Sequence, residues 1–283
     1  MKITVLIHCP DQTGIISHVT GFVHAAEGNI VYLDQHVDQQ AKVFFMRLES
    51  HFPAADFSLK NFREGFEKKL AEPYAMEWSM HQEEVLPRMA VFVSKYNHCL
   101  YDLLSRYRSG ELKTEIPFVL SNHADLAPIA KQFGIPFYHI PVTQETKVAA
   151  EDEQLKLLQE HQVDFIVLAR YMQIVSSKLI DRFPNKIINI HHSFLPAFAG
   201  AKPYHAAFAR GVKIIGATSH YVTEDLDEGP IIEQDVTTVT HAHSIVDFIA
   251  KGRDLEKIVL ARAVKLHLAR KTMVYANKTV IFY

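Results

Sequence analysis

The segment Asn189-Ile190-His191-His192-Ser193 sets an amide, two imidazoles and a hydroxyl at the end of an apolar run that reads as a buried strand, Lys186–Ile190. Side chains alternate along a strand, so Asn189 and His191 share a face. Further on, Asp225, Asp227 and Glu228 precede Gly229-Pro230 between two more strand-like runs, with His220 at the end of the first of them. An amide, an imidazole and a carboxylate suit acyl transfer. Asn189 can donate an N–H to an acyl oxygen as charge develops on it. His191 can do the same when protonated, or can shuttle a proton. Asp227 can hold His191 in its charged form or take a proton from water. Two other readings stay open on these residues alone. Asn-x-His at a strand end is also ordinary loop scaffolding. His191, His192, His205 and His220 could converge on a metal, although no local spacing dictates a ligand geometry.

Two kinds of element must position this set. Residues 1–80 read as β-α-β-β-α-β, the split, ferredoxin-like pattern. An apolar strand over 2–8 turns through Cys9-Pro10-Asp11-Gln12-Thr13-Gly14 into a helix with Ile15, Ile16, Val19, Phe22, Val23 and Ala26 on one face. Strands follow near 30–37 and 42–50, then a helix with Leu59, Phe62, Phe66 and Leu70 at helical spacing, then a closing strand over 74–80. The charged stretch Gln82–Arg88 marks a boundary, giving units 1–82 and 89–283 with a linker over 83–88. Beyond it, short apolar runs at Met89–Val93, Phe118–Leu120, Phe137–Ile140, Asp164–Leu168 and Lys186–Ile190 are mostly separated by helical segments, including 98–107 and 147–161. That alternation predicts a doubly wound, mostly parallel α/β sheet. Strands at 213–222 and 231–238 follow, then a long helix over about 254–270 with Leu255, Ile258, Val259, Ala263 and Leu266 inward, and a terminal hairpin.

Composition narrows the function classes. The chain has 283 residues, 48% of them hydrophobic, so it can bury a sizeable core. A formal charge of −2 argues for neither nucleic acid nor an anionic membrane as partner. Seventeen histidines keep proton transfer and metal binding in view. Only Cys9 and Cys99 are present, too few for a zinc pattern or disulfide framework, and they fit reduced thiols in the cytoplasm. No apolar run approaches the roughly 20 residues of a membrane helix.

The segment Asn189-Ile190-His191-His192-Ser193-Phe194-Leu195-Pro196-Ala197-Phe198 resembles the NIHPSLLP signature of the folate-dependent formyltransferases. Leu226-Asp227-Glu228-Gly229-Pro230-Ile231-Ile232 and Leu168-Ala169-Arg170-Tyr171-Met172-Gln173-Ile174-Val175-Ser176 resemble two more of their motifs, in the right order. The resemblance implies a formyltransferase domain over 89–283 that takes 10-formyltetrahydrofolate. It implies a catalytic set of Asn189, His191 and Asp227. Met172, Gln173, Ile174, Val175 and the 222–227 loop would form the pterin pocket, with His220 nearby. In the glycinamide ribonucleotide transformylases a Gly-Asn-Gly-Ser-Asn loop after the first strand holds the acceptor's phosphate. Here that place reads Ser94-Lys95-Tyr96-Asn97-His98-Cys99-Leu100, without the glycines whose bare backbone suits an anion. Water is the acceptor that needs no such cradle.

Pro10-Asp11-Gln12-Thr13-Gly14-Ile15-Ile16, with Gly28-Asn29-Ile30 at the helix exit, is similar to the turn of ACT domains. An ACT module joined to a formyltransferase domain is the arrangement of the formyltetrahydrofolate deformylases. That resemblance implies hydrolysis to formate and tetrahydrofolate, with folate as substrate and neither metal nor cofactor required. It implies a homodimer or homotetramer, and an amino-acid effector met by Asp11, Gly14 and Asn29. The competing readings are transfer of formyl to an unidentified amine and an amino-acid sensor that merely binds folate.

Overall fold

The computed structural model describes residues 1–53, 57–197 and 202–283, so Phe198, at the end of the first motif, lies outside the described residues. The chain divides into two compact units, Met1–Leu86 with Ile281–Tyr283, and Pro87–Val280.

The first unit comprises β1 (Lys2–Pro10), α1 (Ile15–Ala25), β2 (Asn29–Asp38), β3 (Val43–His51), α2 (Leu59–Phe66), a π-helical turn Glu67–Ala71, the short helix α3 (Glu72–Tyr74) and β4 (Glu77–Gln82). Its sheet is antiparallel in the order β2-β3-β1-β4, as a ferredoxin-like domain requires. Alternation builds the core. Ile3, Val5, Ile7 and Cys9 of β1 and Phe44, Met46 and Leu48 of β3 cluster with Val19, Val23, Phe62 and Phe66 from the helices. Three details differ from the sequence reading. Ile16 is exposed, because α1 buries only Ile15, Val19 and Val23. The closing strand starts at Glu77 because residues 72–74 are still helical, and Ala75 ends the helix in a left-handed conformation with φ 49°. The last three residues, read above with the second unit, group with the first, where the Tyr32 hydroxyl donates to the Tyr283 carbonyl. Burial, then the nearby Asp11, pushes the Cys9 thiol up to about 11.

The second unit contains β5 (Met89–Val93), α4 (His98–Arg108), β6 (Val119–Ser121), α5 (Ala127–Gln132), β7 (Phe137–His139), α6 (Lys147–Glu160), β8 (Phe165–Leu168), α7 (Ser177–Arg182) and β9 (Ile187–His191). It continues with α8 (Pro203–Arg210), β10 (Ile214–Tyr221), β11 (Ile231–Thr238), α9 (Ile245–Leu268) and a hairpin of β12 (Thr272–Tyr275) and β13 (Lys278–Ile281). The sheet order is β11-β10-β9-β8-β5-β6-β7. β5 through β9 are parallel, β10 runs antiparallel to β9, and β11 antiparallel to β10. All of β5 is buried, as in a sheet covered on both faces. α9 begins well before residue 254, because Ser244 and Asp247 form a reciprocal capping box. Its buried stripe is Phe248, Leu255, Val259, Leu260, Ala263 and Val264, while Ile258 is exposed. Short helices α5, α7 and α8 complete about two turns or fewer, too little apolar periodicity to announce them in sequence. Among the described residues, no helix is long and apolar enough to cross a membrane.

Candidate active site

The chain winds from β5 outward to β6 and β7, then returns to place β8 against the other side of β5. The segments leaving β5 and β8 therefore part, and such a switch point opens a crevice at the carboxyl ends of the strands. A cleft of about 370 Å³ lies at the carboxyl ends of β8 and β9 beside it, lined by Arg170–Val175, Asn189–His192, His220 and residues 222–227. The segment after β8 is clamped along its length. Ser94, which follows β5, accepts from the Met172 N–H at 2.9 Å and donates to Asn122 at 2.7 Å. Gln154 donates to the Tyr171 hydroxyl at 3.2 Å, and Glu151 accepts from the Ser176 N–H at 2.7 Å. Sequence reasoning met Ser94 only as the head of the altered loop and assigned no positioning role to it, Gln154 or Glu151. A signal existed only for the two on α6, as polar residues inside its buried face.

The structure brings Asn189, His191, His220 and Asp227 together. Asn189 and His191 alternate onto one face of β9, and the β9–β10 register sets His220 directly opposite Asn189. The Asn189 amide nitrogen lies 3.2 Å from His220 Nε2, while His220 Nδ1 donates to the Tyr221 carbonyl at 2.8 Å. Asp227 arrives from the loop between β10 and β11, with one carboxylate oxygen 3.2 Å from His191 Nδ1 and 3.7 Å from His220 Nε2. His191 Nε2 is buried and has no hydrogen-bond partner among the described residues. Asp227 has a left-handed backbone, φ 59°, which a non-glycine residue holds only where its surroundings enforce it. They do so here. Asn277 donates to the Glu228 carbonyl at 2.9 Å, and the Tyr221 N–H donates to the Pro230 carbonyl at 2.9 Å. Burial alone would raise the Asp227 carboxyl, but hydrogen bonds from His191 and then His220, with their charges, hold it well below the usual carboxylate range.

Met172, Gln173, Ile174 and Val175 line the same cleft, as do residues 222–227. Met172 and Ile174 expose apolar side chains, a surface suited to a flat aromatic ligand. The four histidines weighed as metal ligands do not form a group with ligand spacing. The described group that does is His98, Cys99 and Glu256. Its thiol is pushed well above the usual range, first by burial and then by Glu256.

In the first unit, Gly14 starts α1 with φ 91° and Asp11 follows β1. Asn29 begins β2, and the register carries it across His51 to Lys2, the far end of β1. Asp11 and Asn29 are thus separated by roughly 25 Å of strand within one chain.

The comparisons with known proteins agree with this architecture. A formyl transferase family model matches residues 87–264. Over its whole length the chain is similar to a formyltetrahydrofolate deformylase of Synechocystis sp., with 52% identity over 99% of this chain and 98% of that protein. The crystal structure of a formyltetrahydrofolate deformylase from Pseudomonas syringae pv. tomato superposes with a TM-score of 0.97, at 46% identity, covering 100% of this chain and 95% of that one. A glycinamide ribonucleotide transformylase from Symbiobacterium toebii matches 70% of this chain and 95% of its own, with a TM-score of 0.66 and 28% identity. The chain belongs to the formyltetrahydrofolate deformylase family.

Proposed function

We propose that the protein hydrolyses 10-formyltetrahydrofolate to formate and tetrahydrofolate at the cleft of Asn189, His191 and Asp227. The observation that carries this reading is the His191–Asp227 pair at 3.2 Å, with His191 Nε2 buried and without a hydrogen-bond partner among the described residues. With Nδ1–H engaged by Asp227, Nε2 of the neutral ring is an acceptor for a proton of the attacking water. As the oxygen–carbon bond forms, that proton moves to Nε2 and negative charge gathers on the formyl oxygen. The Asn189 amide and the new Nε2–H donate to it. The proton then passes to the departing nitrogen as the carbon–nitrogen bond breaks. Formic acid loses its remaining proton to solvent. Asp227, whose depressed carboxyl is a weak base, keeps its charge throughout and compensates the imidazolium.

No step in this scheme passes through a metal or a cofactor. Met172–Val175 and the 222–227 loop hold the pterin ring, with His220 fixing the Asn189 amide. Buried, free Cys9 and Cys99 fit a reducing compartment, the cytoplasm. The wild type is expected to release stoichiometric formate from 10-formyltetrahydrofolate with no amine present. Release only on adding an amine would replace hydrolysis by transfer.

The separation of Asp11 and Gly14 from Asn29 favours an effector site shared between copies, since one chain cannot close both ends on a small amino acid. Such a site requires a homodimer or homotetramer. Light scattering is expected to give at least a dimer, and a monomer at working concentration would remove the shared site.

A further inference from the structure

Beside the catalytic cleft lies a second cavity of about 210 Å³, and the two share Arg170 and His192 among their lining residues. The His192 ring sits 5.2 Å from that of His191 on one side and 5.8 Å from that of Tyr204 on the other. The cavity lining contains three fixed cations, Arg170, Lys202 and Arg253, against one carboxylate, Glu256. That carboxylate is 1% exposed and already engaged. One oxygen accepts from the Tyr204 hydroxyl at 2.7 Å, and the other from His98 Nε2 at 2.8 Å. Gly252, one turn earlier on α9, leaves the space that the Tyr204 ring fills, since a Cβ there would overlap it.

The arginines are less well matched. Arg170 is 7% exposed and takes a left-handed backbone, φ 64°. Its Nε approaches Glu256 at 3.3 Å but without hydrogen-bond geometry, so it counts as buried and unsatisfied. A guanidinium carries five N–H donors, and no other protein acceptor for this one is found among the described residues. Its guanidinium carbon lies 5.0 Å from the centre of the Tyr96 ring, and that of Arg253 lies 5.7 Å from the same ring. Arg253 pairs with no carboxylate among the described residues. A buried arginine with unused donors and a second, unpaired arginine at one small cavity suit an oxyanion.

Resting on the hydrolysis proposed above, we infer that this cavity is a small-oxyanion site that receives the formate leaving His191. Formate is the anion made at the adjoining cleft, and it is small enough to pass His192 while folate still fills its own pocket. Inorganic phosphate shares the chemistry and is the alternative source of a ligand.

The test uses the full-length protein and Arg253→Ala, an exposed position where folding is not at stake. Formate binding to the enzyme alone, followed by line broadening of carbon-13 formate, does not depend on activity. It therefore separates failure of this inference from failure of the hydrolytic reading. Arg253→Ala is expected to weaken formate binding, and formate inhibition of turnover, by at least about fivefold, the scale of one lost charge-assisted contact. Arg253→Lys is expected to restore most of both. Equal formate affinity in wild type and Arg253→Ala would overturn the assignment. So would phosphate that binds in an Arg253-dependent manner and displaces formate at a far lower concentration.

Discussion

Turnover of 10-formyltetrahydrofolate is expected to fall by at least about two orders of magnitude in His191→Ala and in Asp227→Asn, with folded protein retained. His191 supplies a buried imidazole nitrogen with no hydrogen-bond partner among the described residues, and Asp227 supplies the charge that balances its protonated form. Asparagine keeps the size of Asp227 and an acceptor for His191 Nδ1–H, so the loss isolates the charge. The fold should survive because both side chains line the cleft and neither belongs to an apolar core cluster. The pH dependence has a definite sign. A carboxyl depressed on folding stabilises the native state above its unfolded value of about 3.9, and that contribution is lost as pH falls through the lower native value. Wild type should therefore exceed Asp227→Asn in stability near pH 5, and the margin should narrow below about pH 4. Steady-state kinetics with circular dichroism at each pH checks both statements. Near-normal turnover in folded Asp227→Asn would remove Asp227 from the mechanism.

Gly229→Ala is expected to lower turnover on a similar scale although Gly229 touches no substrate. A Cβ at this position would overlap the backbone carbonyl of Tyr221. Neither group can yield freely. Tyr221 is held by its hydrogen bond to the Pro230 carbonyl, and its ring hydroxyl is buried against His267 and Thr272 at 2.8 Å each. The turn must therefore move, and Asp227 moves with it, two residues away and already in a strained backbone conformation. Misplacement by about 1 Å is enough to cost on the order of a hundredfold in rate. Asn277→Ala removes only the hydrogen bond to the Glu228 carbonyl and should cost much less. Kinetics on the two variants, with thermal melts to exclude unfolding, provide the check. Wild-type turnover in Gly229→Ala would show that the loop tolerates displacement and that Asp227 is not held as argued.

Much of this protein was legible in its sequence because local physics writes it there. Alternation along 2–8 and the spacing of Phe62 and Phe66 announce a sheet with helices on one face, and Met89–Val93 announces a strand buried on both. Asn189 and His191 had to share a face, since a strand allows nothing else. The three motifs named the candidate set. Distance in space decided the rest. Only the antiparallel register of β9 and β10 puts His220 beside Asn189, and only the clamped turn around Gly229 brings Asp227 to His191. Glu256 stands far along the chain from His98, Arg170 and Tyr204, and a single acid on the apolar stripe of α9 gives no hint of which cations it will meet. Periodicity encodes which way a side chain faces within its own element, whereas the partner it finds depends on how distant elements pack, and that is fixed by the tertiary structure.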